Sequence, residues 1–279
     1  MTVETIGLLH PGDMGSGVGA ALVEAGYTVT WASVGRSSAS ARRAASANLV
    51  DLGTVDAMID RCQLIMSICP PAQAVAVANE VAGFGGLYLD ANAIAPATAQ
   101  RVAGVIESGG GRYVDSGIIG GPPTSTYGPR LYLSGPAAPE MGELFAGTTV
   151  DARVLSQDQT AASGVKMCFA AWTKGTSALL LAIRALAIAE GVEGPLLDEW
   201  HTSMPELDRR SLTAGQQAAA KGWRWVGEME EIAATFRSAG LPDGFHLAAA
   251  DIFGRPHRDE QAGADQATLS SVLEALRPS

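Results

Sequence analysis

The chain has 279 residues, 47% of them hydrophobic and 17% charged, and 29 acidic against 19 basic residues give it a formal net charge of -10. This composition excludes disorder, and the absence of a basic run makes nucleic acid and anionic membranes poor partners. The length exceeds one comfortable α/β domain and implies two.

Met1 leads almost directly into an apolar strand, with no basic region or cleavage site of a secretory signal, which predicts a cytoplasmic protein. Residues 5–9 form that strand, a glycine-rich turn follows, and the helical spacing of Val18, Leu22 and Val23 ends at Gly26. Further β-rich runs occur at 27–32, 64–69, 86–90, 112–114 and 130–134, with alanine-rich helical segments at 73–82 and 95–107. Strands alternating with helices predict an α/β fold with a doubly wound, mostly parallel sheet.

The alternation stops near Ser156. Residues 158–190 read as one long helix, apolar on nearly every face between 178 and 188, which implies burial all round between domains or subunits. Its most apolar part is interrupted by Arg184 and falls short of the ~20 residues that cross a bilayer. Shorter helices are expected at 196–204, 208–220, 223–239 and 243–253, the last with Asp243 as N-cap, and a polar, weakly helical segment from Arg255. The predicted organisation is a sheet domain at 1–157, an interdomain helix at 158–190 and an all-α carboxy-terminal domain at 191–279. The apolar surface near 179–188 predicts a homodimer.

Cys62, Cys69 and Cys168 are odd in number, lack zinc-like spacing and sit among apolar neighbours, so they read as small hydrophobes and no metal is expected. The first turn carries more information. His10-Pro11-Gly12-Asp13-Met14-Gly15 lies between the first strand and first helix, where a dinucleotide fingerprint belongs. Gly12 and Gly15 fit the last two glycines of G-x-G-x-x-G, and His10 occupies the first position. Since histidine does not reach positive φ cheaply and Pro11 favours an extended His10, the turn must take a slightly different path. The placement predicts a Rossmann domain with the pyrophosphate at the helix N-terminus.

An NAD site has Asp or Glu ~20 residues past the glycines to hold the ribose hydroxyls. Residues 32–38 contain no acid, whereas Arg36 can pair with a 2′-phosphate, Ser37 and Ser38 can donate to it, and Arg42 or Arg43 can add charge. The predicted cofactor is therefore NADPH.

Several segments resemble the β-hydroxyacid dehydrogenase branch of the 6-phosphogluconate dehydrogenase superfamily, which also contains imine reductases. PGDMGSGVGAALVEAG is similar to its glycine loop, and MSICPP to the loop beside the nicotinamide, which implies cofactor contacts at Cys69 and Pro70. YLDANAIAPATA and YVDSGIIGGPP are similar to its substrate-side loops, and SGVKMCFAA to its lysine helix. The segment KGWRWVGEMEEIAATFRSAGLPDGFH resembles the last domain of an uncharacterised bacterial subgroup related to phosphogluconate dehydrogenases. Against the family pattern, Asn92 replaces a serine, Ile119-Gly120-Gly121 replaces Ser-Gly-Gly, and Phe169 and Ala170 replace two asparagines after the lysine. The resemblance thus implies substrate contacts at Ile119, Gly120, Gly121, Phe169 and Ala170, with a bulkier or less charged substrate than a small hydroxyacid.

Hydride transfer also needs a proton carrier, and Lys166 is the candidate, because its apolar surroundings favour the neutral amine and let it act as acid and base. Lys174, eight residues on, can share that role, bind an anionic substrate or simply reach solvent. Asn92, beyond a strand's carboxyl end, can hold substrate or nicotinamide ribose, or only shape its turn. Trp223, Trp225, Met229 and His246 can line a cleft, although such a stripe is more often core. The resulting expectation is NADPH-dependent reduction of a carbonyl or the reverse oxidation. Imine reduction on the same scaffold and a noncatalytic NADP(H)-binding role are the alternatives.

Overall fold

Short runs of branched and aromatic residues form an eight-stranded sheet in the computed structural model, which describes residues 3–277. Met1, Thr2, Pro278 and Ser279, the outer ends of the two predicted domains, lie outside the described residues. The strands are β1 (Thr5–Leu8), β2 (Thr28–Trp31), β3 (Val50–Asp51), β4 (Leu64–Ser67), β5 (Leu87–Asp90), β6 (Arg112–Ile119), β7 (Arg130–Ser134) and β8 (Asp151–Ser156). Their order is β3-β2-β1-β4-β5-β6-β7-β8, parallel throughout except for the antiparallel pair β6 and β7. The predicted doubly wound, mostly parallel sheet is the observed one.

Period-two alternation buries both faces of this sheet. Ile6, Leu8, Leu64, Met66, Leu87 and Leu89 pack on one side with Val18 and Leu22 of α1 (Asp13–Glu24), Ala44 of α2 (Ser38–Ser46) and Met141 of α6 (Ala138–Leu144). Ile65 and Tyr88 point the other way, onto Met58 of α3 (Val55–Arg61), Val77 of α4 (Ala74–Glu80) and Val102 and Ile106 of α5 (Pro96–Ser108). The sequence reading missed the two-residue β3 and the edge strand β8. It also ended β6 at residue 114, because Asp115 and Ser116 interrupt the apolar run; both are buried, as the network described below explains.

The chain divides into two compact units, one up to Met167 and one from Cys168, and the division falls inside α7 (Ala161–Ala189). The second unit continues with α8 (Glu193–Ser203), α9 (Glu206–Ser238), α10 (Gly244–Gly254) and α11 (Gln266–Ala275). The two helices expected at 208–220 and 223–239 are one 33-residue helix, α9. Gly222 does not break it; a Cβ there would lie 3.0 Å from the Phe253 carbonyl oxygen, so glycine lets α10 pack closely. Asp243 makes no side-chain cap, because its carboxylate takes Arg237 instead at 2.6 Å. Residues 178–188 are not buried all round in the single chain: Leu179 and Leu186 are at least half exposed. Cys168 is exposed as well, contrary to the apolar setting expected for it. Among the described residues no helix is long and apolar enough to cross a membrane, and no cluster of potential metal ligands occurs.

Candidate functional site

The turn after β1 is built by close backbone approach. Gly12 donates to the His10 carbonyl at 2.9 Å, and a Cβ on Gly15 would lie 2.4 Å from that same oxygen, so only glycine fits there. At Gly12 a Cβ would meet nothing, which leaves open space where α1 begins, and no side chain caps the helix. The N-terminal N–H groups of a helix have no intrahelical acceptor, so this end suits an anion. No non-glycine residue in the turn adopts positive φ, consistent with the altered path expected from His10-Pro11.

The predicted cofactor residues beyond β1 and β2 meet. Arg36 Nη1 lies 2.7 Å from His10 Nε2, and its Nη2 lies 3.7 Å from the Glu80 carboxylate. Burial, with help from the Arg36 charge, holds the His10 imidazole down to about 4. Arg43 donates to the Pro11 carbonyl at 3.0 Å and lies 3.6 Å from Asp13. Ser37 accepts from the Ser40 amide and caps α2, so its hydroxyl has a structural partner, and Ser38 is exposed beside it.

At the carboxyl ends of β4 and β5, Asn92 is clamped at both ends of its amide. Its oxygen accepts from the Cys69 amide at 2.6 Å, its nitrogen donates to Ser67 Oγ at 3.0 Å, and its own N–H donates to Asp90 Oδ1 at 3.0 Å. Asn92 therefore fixes the course of the Cys69-Pro70 loop. Burial, the leading cause, pushes the Cys69 thiol up to about 12, so it stays protonated at neutral pH.

Asp90 is buried, and desolvation together with the neighbouring Asp115 charge raises its pKa to about 7 against the opposing bond from Asn92. The Tyr113 hydroxyl lies close by without closing a well-formed hydrogen bond. A raised carboxyl pKa means that folding favours the protonated form. That stabilisation is complete below the ordinary value of 3.8 and is lost as pH rises through about 7. Asp90→Asn should therefore flatten the decline in unfolding free energy between pH 4 and pH 8, by up to ~4 kcal/mol. Urea unfolding at the two pH values checks this, and equal declines in variant and parent would refute it.

The lysine helix is anchored by a carboxylate missed in the sequence reading. Asp115 on β6 accepts from Ser163 N at 2.8 Å, Ser163 Oγ at 2.5 Å and Ser134 Oγ at 3.0 Å, and Ser134 Oγ accepts from Ala162 N at 2.9 Å. These bonds satisfy the first amides of α7. A Cβ on Gly117 would lie 2.8 Å from Lys166 Cβ, so glycine lets α7 sit against β6. Lys166 Nζ then donates to the Ile118 carbonyl at 2.9 Å. Beyond Ile119, Gly120 takes φ +130°, and Gly121 N–H donates to the Tyr127 hydroxyl at 3.1 Å, so Tyr127 gathers the loop that replaces Ser-Gly-Gly. Isolated in a loop, Tyr127 carried no sequence signal; the polar pair Asp115-Ser116 inside an apolar strand was the clue to the network.

Phe169, Ala170 and Lys174 belong to the second unit. Phe169 is half-exposed and Ala170 is buried. Lys174, expected to bind an anionic substrate or share the proton role, is committed to Glu228 at 2.7 Å and lies over the Trp225 ring at 5.4 Å, with both charges largely buried. In the same unit Met229 is core, and His246 is buried against Phe236 with its pKa lowered by burial. Trp223 is exposed beneath the guanidinium groups of Arg224 and Arg258.

Open parallel sheets with a glycine turn beside the point where strand order reverses, here between β1 and β4, are the frame of Rossmann-type dinucleotide-binding proteins. Residues 3–143 match the family described as the NAD binding domain of 6-phosphogluconate dehydrogenase, and the chain belongs to that family. Residues 187–255 match a domain of unknown function, DUF1932. No curated protein matches the sequence. Among solved structures, a conserved hypothetical protein of Sinorhizobium meliloti 1021 is 23% identical, with 99% of this chain and 97% of that one covered and a TM-score of 0.70. The 3-hydroxyisobutyrate dehydrogenase of Mycobacterium tuberculosis, solved with L-serine, is 17% identical over 99% and 100% of the chains, with a TM-score of 0.74. A reductive aminase of Aspergillus terreus, solved with NADPH and ethyl levulinate, is 22% identical over 99% and 100%, with a TM-score of 0.58. At these identities the likeness establishes a shared fold.

Proposed function

We propose that this chain is a cytoplasmic, NADPH-dependent oxidoreductase acting on a small carbonyl or hydroxy compound, with Lys166 as the proton carrier. The observation that carries the reading is Lys166 Nζ held 2.9 Å from the Ile118 carbonyl, near the carboxyl end of β6, the end of the strands where ligands of open α/β folds bind. The backbone of the turn His10, Pro11, Gly12, Asp13 and Met14 would face the pyrophosphate, the side chains of Arg36, Ser37 and Ser38 the adenosine ribose, and Cys69, Pro70 and Asn92 the nicotinamide side. Two features support the fit: open space beside Gly12, and buried His10 Nδ1 and Arg36 Nε atoms without hydrogen-bond partners among the described residues.

When bound, the cofactor supplies or accepts the hydride. Lys166 gives a proton from Nζ to the substrate oxygen on reduction and takes it back on oxidation. Asn92 orients the Cys69-Pro70 loop through its clamped amide. In the first unit Ile119 offers an apolar side chain where the family pattern has a serine, with Gly120 and Gly121 keeping the surface beside it small; in the second, Phe169 and Ala170 stand where it has two asparagines, and each loss of polar groups fits a bulkier, less charged substrate. The same losses favour imine reduction as a second reading. NADPH oxidation measured against ketone and cyclic-imine panels separates the two: ketone turnover is expected, imine-only turnover supports the second, and none with intact binding leaves a noncatalytic NADP(H)-binding protein.

NADPH should bind more tightly than NADH, because Arg36 stands where an NAD site has an acid. Arg36→Ala should weaken NADPH selectively by ~1–3 kcal/mol, the worth of charge-assisted hydrogen bonds. Equal dissociation constants of the two cofactors for the unmodified protein would sink this assignment. We further infer a homodimer, supported by Trp172, Leu179, Leu186 and Phe245, each at least half exposed in the single chain. Sedimentation should give a dimer; a monomer at all concentrations would count against it.

A further inference from the structure

The fingerprint position usually held by the first glycine carries His10, and the structure ties this departure to Arg36. A guanidinium has no acceptor, so the 2.7 Å contact between Arg36 Nη1 and His10 Nε2 requires Nε2 to accept. His10 is then neutral with its proton on Nδ1, and burial beside the Arg36 charge keeps it so. Both His10 Nδ1 and Arg36 Nε are buried without a hydrogen-bond partner among the described residues. The bonded pair thus holds two unmatched donors.

We propose that His10 is a specificity-determining residue, aiming Arg36 so that the pair presents these two donors to the 2′-phosphate of the cofactor's adenosine ribose. The inference rests on the NADPH reading above and adds a residue that the acid-or-arginine rule does not include. A phosphate monoester brings about two negative charges and three acceptor oxygens, enough for both donors, whereas an uncharged ribose hydroxyl satisfies at most part of this demand. Glu80 explains why the arginine needs holding. Its carboxylate stands 3.7 Å from Arg36 Nη2, too far for a hydrogen bond but near enough to draw the guanidinium away and neutralise it. The acceptor on His10 fixes Nη1 and keeps Arg36 from closing on Glu80. A glycine at position 10 has no side chain with which to do this.

Calorimetric titration with adenosine 2′,5′-bisphosphate, 5′-ADP, NADPH and NADH tests the proposal on the parent protein, Arg36→Ala, His10→Ala and His10→Gln. His10→Ala should weaken the two 2′-phosphorylated ligands by about tenfold or more and the other two by less than about threefold, as expected for losing one charge-assisted contact. His10→Gln, whose Oε1 can accept from the guanidinium, should restore part of the difference. Equal weakening of all four ligands would make His10 a mere shaper of the turn, and an unchanged ratio would remove it from specificity; either overturns the proposal. A parent protein indifferent to the 2′-phosphate would overturn the NADPH reading as well. Loss of preference in Arg36→Ala but not in His10→Ala would overturn the His10 role alone. Should thermal melting show His10→Ala unfolded, His10→Leu fills the same space without an acceptor and is read in the same way.

Discussion

Replacing Lys166 with methionine is expected to preserve folding and nicotinamide-cofactor binding while lowering turnover by about 10²–10⁴-fold, the contribution of a positioned acid–base group. Methionine keeps roughly the length and apolar stem of lysine, so the packing of α7 on Gly117 is retained while the Nζ contact with the Ile118 carbonyl is lost. Lys166→Arg should fail nearly as badly, because a guanidinium does not release its proton near neutral pH. Cofactor titration and steady-state rates on the same preparations decide the matter. Near-normal turnover in the methionine variant would remove Lys166 from the mechanism and leave a water near Asn92 as the candidate carrier, since Lys174 is held by Glu228.

Asp115→Ala should cost roughly 3–5 kcal/mol of stability, because several buried donors lose their acceptor at ~1–3 kcal/mol each, partly offset by repacking or water. The donors are Ser134 Oγ and the backbone and hydroxyl of Ser163, which together dock α7 on the sheet. Asp115→Asn should cost less, since one oxygen still accepts, although its NH2 then faces donors. The opposing effect is desolvation, which raises the Asp115 pKa and makes its charge costly to bury. A shift in the urea midpoint equivalent to less than ~1 kcal/mol for the alanine variant would mean that desolvation outweighs the network.

What the sequence disclosed followed the range of the interactions involved. Strand alternation, the glycine turn and the long helix are local patterns, and β1, α1 and α7 lie within a few residues of their expected bounds. The expected break within α9 falls at Gly222, which looks like a breaker but instead admits Phe253, distant in sequence, as Gly215 admits Leu269. The last helix, α11, was underrated because its amphipathic face makes sense only against α9. At the site, the motif residues were legible, but their partners were not. Nothing local announces that Asp115 meets Ser163, that Arg36 meets His10, or that Lys174 is claimed by Glu228 54 residues later.

The two borders of the sheet have a bearing on how the protein behaves when crowded. An open strand edge offers unpaired backbone groups on which another chain can grow a strand. One border is β3, only two residues long, which gives such a chain little to bind. The other is β8, six residues with Val154 and Leu155 partly exposed, which would be an adhesive edge if it were wholly apolar. Asp151 and Arg153 sit on this strand, paired with each other at 2.6 Å, and Arg153 also covers the Tyr132 ring of the adjoining strand. An incoming strand would have to desolvate that ion pair, so the charges at β8 act as gatekeepers against edge-to-edge aggregation.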